Sequence, residues 1–296
     1  MPPKTRRVKC PGCGKTKPIR TDRKFCSVQC AGAARTHRLN ERNRSERVLF
    51  SCDAHIPHLD ERAWSIMLQI AQDVKPTWKI HGGDWLDCYN LSLKFAQPGS
   101  PGPGFPWEVD AGTRRLEELK AALPRGTRIT LVEGNHEYRL KSFLNSKEGA
   151  RFKGAKGMTM PAQLELKRLG IEWVECPGEK WYTTKVEIAP GFYVGHFSKT
   201  NTCAAYAAKN IQDRFGASFI TGHNHSGGVV HRTAASGPIW GYEGGCMCYL
   251  DPPYMEPQNW CHMLHIIHVE DGVPPEVERI HIHEGRARYG GRLYRA

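Results

Sequence analysis

The chain has 296 residues, of which 40% are apolar and 24% charged, with 11 cysteines and a formal charge of +12. That length suits one large domain with a small appendage, and the composition is that of a globular protein. No stretch approaches the roughly 20 apolar residues of a membrane span, and Met1 to Lys9 is basic without a secretory apolar run, so a cytoplasmic protein with no membrane role is expected.

The charge sits at one end. Residues 1–47 hold 14 Lys and Arg against 3 Asp and Glu, a surplus of +11, while residues 48–296 hold 28 against 27 and carry +1. Within the basic segment, Cys10-Pro-Gly-Cys13 is followed, after a gap of twelve residues, by Cys26-Ser-Val-Gln-Cys30. Two close Cys pairs across a short polar loop have the spacing of a Cys₄ structural zinc site, with Gly12 and Gly14 permitting the first turn. Too few apolar residues lie there for an independent core, so Zn²⁺ binding would supply the folding energy. The segment resembles short zinc-ribbon or treble-clef knuckles. Residues 1–34 therefore read as a zinc module and 35–47 as a basic linker. Arg6, Arg7, Lys15, Lys17, Arg20, Arg23, Lys24, Arg35 and Arg38 are its candidate contacts to a phosphate backbone.

From Val48, strand-like runs alternate with helical periodicity. Val48 to Ser51, Trp78 to His81, Ile129 to Val132, Phe192 to Val194 and Ser218 to Thr221 are β-prone. Leu59, Ala63, Ile66, Met67, Ile70 and Val74 recur at spacings of three and four, predicting an amphipathic helix, and Leu116, Leu119 and Leu123 predict another. Gln97 to Pro106 is rich in Pro and Gly and reads as a loop. Beyond His225 the pattern turns to strands: Val229 to Thr233, Ile239 to Tyr242, Met263 to Val269 and Glu276 to His283. Residues 48–283 form the predicted main domain and 284–296 a basic tail.

Each of the first five runs stops at a hard metal ligand. They end in Asp53-Ala54-His55, Gly83-Asp84-Trp85-Leu86-Asp87, Gly134-Asn135-His136-Glu137, Gly195-His196 and Gly222-His223-Asn224-His225. In open α/β sheets, ligands gather beyond the carboxyl ends of the strands, so residues scattered over more than half the sequence would converge there. Asp53, His55, Asp84, Asn135, His196, His223 and His225 form a mixed O/N set without thiolates. Such a set suits two divalent ions, with Mn²⁺ first and Fe²⁺ or Zn²⁺ otherwise, and is too nitrogen-rich for Ca²⁺ or Mg²⁺.

The motif order D-x-H, GDxxD, GNHE, H and GHxH resembles the calcineurin-like metallophosphoesterase superfamily over roughly residues 48–283. The resemblance implies an α/β (α+β) fold, an αββα sandwich of two stacked mixed sheets flanked by helices. It also implies that Asp53, His55 and His225 hold one metal, that Asn135, His196 and His223 hold the other, and that Asp84 bridges them. A water between the metals would be the nucleophile, with His136 protonating the leaving oxygen and Asp87 orienting His136. Arg139 would face substrate phosphate or, equally, a salt-bridge partner on its helix. The protein phosphatases of this superfamily carry GDxxDRG and RGNHE, whereas here Cys88-Tyr89 follows Asp87 and Glu133 precedes Gly134. The nuclease and phosphodiesterase branches lack those arginines.

The expected function is phosphoester hydrolysis of nucleic acid, DNA in particular, with the basic zinc module docking the polymer. A phage or prokaryotic nucleic-acid enzyme fits this layout. The alternatives are a phosphomonoesterase or cyclic-nucleotide phosphodiesterase whose zinc module binds a protein partner, and a non-enzymatic nucleic-acid-binding protein. His262, His265 and His268 read as sheet histidines and Cys246 and Cys248 as packing. His58 and Asp60, just after the first motif, would line the cleft, or Asp60 would cap the following helix. Lys199 and Asn201 are possible substrate contacts.

Overall fold

The computed structural model describes residues 5–10, 15–20, 27, 45–94, 104–176, 178, 180–235, 237–251 and 258–296. The chain forms two compact units, Met1–Ser45 with Val269–Pro274, and Glu46–His268 with Pro275–Ala296.

In the first unit, β1 (Thr5–Lys9) and β2 (Thr16–Arg20) pair antiparallel, with Thr5 opposite Arg20 and Lys9 opposite Thr16. The Cys10 N–H donates to the Lys15 carbonyl at 3.0 Å and closes the hairpin, and Cys10 is buried. Arg7 and Lys15 are exposed, and Arg6, Lys17 and Arg20 lie on the two strands. Cys13, Cys26 and Cys30, with Arg23, Lys24, Arg35 and Arg38, lie outside the described residues.

The second unit contains two mixed sheets. One holds β3 (Ser45–Ser51), β4 (Trp78–His81), β5 (Arg128–Val132) and β6 (Glu172–Val174), parallel and side by side. Next to β3 lies β12 (His262–Glu270), followed by β13 (Glu276–His283), β14 (Arg286–Tyr289) and β15 (Arg292–Arg295) in antiparallel succession. The other sheet is ordered β10 (Val229–Ala234), β11 (Gly237–Glu243), β9 (Ser218–Thr221), β8 (Phe192–Gly195) and β7 (Lys185–Ala189), with β11, β9 and β8 parallel. The sheets face each other: Tyr242 of β11 meets His265 of β12 at 6.4 Å, and His265 meets Phe50 of β3 at 5.9 Å.

Helices cover the outer faces. Helix α1 (Glu61–Val74) starts at Asp60, whose carboxylate accepts the Arg62 and Ala63 N–H groups at 2.9 and 3.0 Å, the N-cap alternative for this residue. Its buried stripe Ala63, Ile66, Met67 and Ile70 packs with Leu49 and Leu131 of the sheet and with Leu116 and Leu119 of α2 (Phe105–Ala122). Short helices α3 (Tyr138–Leu144), α4 (Met160–Gln163) and α5 (Leu166–Leu169) follow. On the other side, α6 (Tyr206–Phe215) sets Ala208 and Ile211 against Phe197 and Phe219. The layers are helix, sheet, sheet, helix, the αββα arrangement expected from the motifs.

Two expectations are corrected. The Pro/Gly loop ends before Phe105, because Pro106 opens α2; proline's fixed φ and missing N–H suit a first helical turn. Residues 97–103 of that loop lie outside the described residues. The expected basic tail is the β14–β15 hairpin. Its inward residues, Ala287 and Tyr294, are buried, and the Tyr294 hydroxyl donates to Asp73 of α1 at 2.8 Å.

Candidate metal centre

The five ligand segments leave the carboxyl ends of β3, β4, β5, β8 and β9 and meet at one rim. Each chain turns sharply there. Asp53, His55, Asp84, His223 and His225 hold φ of 54°, 45°, 55°, 80° and 59°, a left-handed region that costs non-glycine residues of order 1–3 kcal/mol apiece. Glycines make the close approach possible. A Cβ on Gly134 would lie 2.1 Å from Asp84 Oδ1, and one on Gly222 would lie 2.7 Å from Asp53 Oδ2. That explains the glycine preceding Asn135 and the glycine preceding His223.

The donors point at one another. His225 Nε2 is 3.2 Å from Asp53 Oδ1 and 3.1 Å from His55 Nε2. His196 Nε2 is 2.9 Å from Asn135 Oδ1 and 3.2 Å from Asp84 Oδ2. Asp84 Oδ2 stands between the groups, 3.7 Å from His55 Nε2 and 3.8 Å from His136 Nε2. The His223 ring falls with Asp84 and His196 in one set of donor atoms within 4.8 Å, and its backbone N–H donates to both oxygens of Asp53.

The outer partners orient the rings. His196 Nδ1 donates to the Gly82 carbonyl at 2.9 Å, and His55 Nδ1 donates to Asp87 Oδ1 at 3.2 Å. Both Nε2 atoms are thereby turned inward, His196 toward Asn135 and Asp84 and His55 toward His225 and Asp84. Two buried carboxylates, Asp53 and Asp84, among these donors call for positive charge, which protons or metal cations can supply. The field points the same way. Burial disfavours charge on His196, but Asp84 and Asp53 outweigh it and push its pKa up to about 9. Burial and the neighbouring His196 hold His223 down to about 3, a neutral imidazole ready to ligate. The donor set therefore fits divalent cations.

A second ring of groups supports the first. Asp87 joins His55 to His136: its Oδ1 is 3.1 Å from His136 Nδ1, and its carbonyl accepts that nitrogen at 2.7 Å. Arg139 donates to the Asp87 carbonyl at 2.7 Å and lies 3.2 Å from His136 Nε2, so it is neither a helix salt-bridge partner nor turned away from the site. His58 Nε2 is 4.0 Å from Asp87 Oδ2. Asn201 donates its N–H to Asn224, whereas Lys199 lies beside Asn210, Asp213 and Arg214 of α6.

Three residues carry more of the site than their sequence suggests. Glu137, buried, accepts the N–H groups of Asp84, Leu86 and Gly134 at 3.1, 2.9 and 2.8 Å, and so ties the β4 loop to the β5 loop. Its place in the motif Gly-Asn-His-Glu was the only available signal. Cys248, expected as packing, has its sulfur 3.8 Å from His225 Nδ1 and lies with His55 and His225 among the donors. Trp181 lies against His223, and no feature of the local sequence marks it. The remaining candidates behave as sheet histidines: His262 donates to the Cys248 carbonyl, His265 is buried between the sheets, and His268 pairs with Glu278.

No protein-family model matches the sequence. The chain is 27% identical over 211 residues to the Gene 54 protein of Mycobacterium phage D29, covering 68% of this chain and 74% of that one. It is 25% identical over 268 residues to the Gene 54 protein of Mycobacterium phage L5, covering 84% and 99%. Among solved structures it is similar to Vacuolar Protein Sorting 29 from Cryptosporidium parvum, with TM-score 0.39, 11% identity, and 85% and 99% of the two chains covered. A dimetal phosphatase from Danio rerio gives TM-score 0.32 and 14% identity over 78% and 98% of the chains. Among the described residues no helix is long and apolar enough to cross a membrane.

Proposed function

We propose that this chain is a two-metal phosphoester hydrolase that cuts nucleic acid, DNA in particular, with the basic N-terminal segment docking the polymer. The observation that carries the hydrolase reading is the convergence of buried oxygen and nitrogen donors at one rim: Nε2 of His196 beside Asn135 and Asp84, and Nε2 of His55 beside His225 and Asp84. Asp53, His55 and His225 would hold one ion, Asn135, His196 and His223 the other, and Asp84 both. Mn²⁺, Fe²⁺ or Zn²⁺ suits these donors. Bound there, the pair supplies positive charge for the phosphoryl oxygens and an acidified water as nucleophile.

The protein's own groups do the rest. Two dications against Asp53 and Asp84 leave about two positive charges in the cleft, which favours an anionic ester and its more anionic transition state. Burial, with His55 and Arg139, holds His136 below the usual imidazole range. An entering phosphate adds negative charge beside His136 Nε2 and opposes that shift, so the ring takes up a proton. Asp87 keeps Nδ1–H engaged, and Nε2–H then passes its proton to the leaving oxygen. Arg139, 3.2 Å from the same nitrogen, would contact the same phosphate.

Charge supports a polymeric substrate. Beyond the N-terminal +11, the body presents Lys147, Arg151, Lys153 and Lys156, all exposed, on the hydrogen-bonded turns that follow α3. No ion pair of the described residues involves these four. Clustered cations attract a phosphate backbone without reading sequence. The test is turnover of bis-p-nitrophenyl phosphate and DNA in Mn²⁺ by Asp84→Ala and Asn135→Ala. Both should lose activity and metal content while staying folded. Near-wild-type diester turnover by either would refute the two-metal assignment.

A further inference from the structure

Two indoles flank the centre, one against each group of donors. The Trp181 ring is 5.0 Å from His223, at 58°, and 5.9 Å from His196; the Trp260 ring is 4.3 Å from His225. Neither belongs to a buried apolar cluster of the described residues, and both are half-buried. Trp181 continues into a second ring: Tyr182 stands edge-on to it at 5.9 Å and is 41% exposed.

The Trp181 platform is held firmly. The Trp181 carbonyl accepts the Thr184 hydroxyl at 2.6 Å, and the Thr184 carbonyl accepts the N–H of His196 at 3.2 Å. The ring is thus tied through one residue to a proposed ligand. A half-buried indole with an exposed phenol beside it leaves aromatic surface within reach of solvent next to a polar centre, a costly arrangement unless another flat surface covers it.

Resting on the nucleic-acid reading above, we infer that the substrate strand is single and unpaired, with a base next to the scissile phosphate stacked on Trp181. In a duplex both faces of every base are already covered by neighbours. An unpaired strand offers open π-faces, and stacking on aromatic side chains accepts any base.

The experiment uses the full-length protein loaded with Mn²⁺ and three probes: oligothymidylate, an abasic polymer of the same length and phosphate count, and the oligothymidylate annealed to its complement. In the wild type, kcat/KM for oligothymidylate should exceed that for the abasic polymer by roughly 5- to 150-fold, the range of one base stack. The duplex should be the poorer of the two base-bearing probes. That advantage should collapse in Trp181→Ala and largely survive in Trp181→Phe, which keeps a ring and guards against simple misfolding. An unchanged advantage in Trp181→Ala would overturn the inference, as would lower metal content in Trp181→Phe, since the indole would then act by holding His223. Duplex cut as fast as single strand would also overturn it, leaving the nuclease reading intact. Turnover of bis-p-nitrophenyl phosphate with no cleavage of any polymer would overturn both.

Discussion

Replacing Glu137 with alanine should damage the centre without touching any proposed ligand. The carboxylate is 1% exposed and accepts three buried backbone N–H groups, from Gly134, Asp84 and Leu86. Each donor orphaned in the interior costs about 1–3 kcal/mol, so the loss is about 3–9 kcal/mol. Domains of this size have about 5–15 kcal/mol in total, so the lower end is tolerated and the upper end is not. At about 2–4 °C per kcal/mol, the melting temperature should fall by at least about 6 °C. Glu137→Gln keeps one acceptor oxygen and turns an NH₂ toward the remaining donors, so it should lie between the two. Asp84 is held left-handed at φ 55°, beside the very N–H that Glu137 accepts. Releasing that N–H lets Asp84 relax, so the stabilisation of the native state by added Mn²⁺ should shrink as well. Thermal unfolding followed by circular dichroism, with and without Mn²⁺, reads both effects. A Glu137→Ala protein that melts within about 2 °C of wild type and gains as much from Mn²⁺ would refute the assignment of Glu137 as the tie between the two loops.

His136→Ala should keep both metals and lose about 10²- to 10⁴-fold in rate on DNA, with a smaller loss on p-nitrophenyl esters, whose leaving group needs no proton; equal losses would count against the general acid. Asp87→Asn should act in the same direction and more mildly. Burial and Asp87 push the Glu108 carboxyl from 4.5 up to about 7, so its charge opposes folding, absent below about 4.5 and complete above about 7. The melting temperature of Glu108→Gln relative to wild type should therefore rise between about pH 5 and about pH 8; a pH-independent difference would contradict this. Removing residues 1–44, which stops short of β3, should spare small-ester turnover and weaken DNA binding. For about four to six phosphate contacts, the slope of log affinity against log salt, roughly −4 to −5 on duplex, should flatten; an unchanged slope would argue for a protein partner instead.

How much of this was legible in the sequence depends on how local each cause is. Trp78–His81 and Ser218–Thr221 were read to the residue, because both are short β-prone runs, buried along nearly their whole length, that stop at a glycine-containing turn. β6 escapes notice because three residues are too few for a period to show, and β7 because its alternation of Lys185, Val186, Glu187 and Ile188 is only four residues long. In the last hairpin, arginines at Arg286, Arg288, Arg292 and Arg295 mask an alternation in which Ala287 and Tyr294 face the core.

The centre was legible for a different reason. Its proposed ligands are distant in sequence, but each carries a local mark: a strand end, a hard donor and, at Gly134 and Gly222, a glycine that no side chain can replace without striking a carboxylate. Glu137 carries only half of such a mark. A carboxylate beside Asn135 and His136 reads as chemistry, whereas its partners Asp84 and Leu86 lie 53 and 51 residues away and ask for nothing that sequence displays, since every residue but proline has an N–H. Trp181 carries no mark at all, because an indole is equally at home in a core. Only its half-buried place against His223 and His196 separates a platform from packing. Residues that hold or flank the ligands are therefore the ones that sequence hides, and they are also where substitution should alter affinity and substrate choice before it abolishes the chemistry.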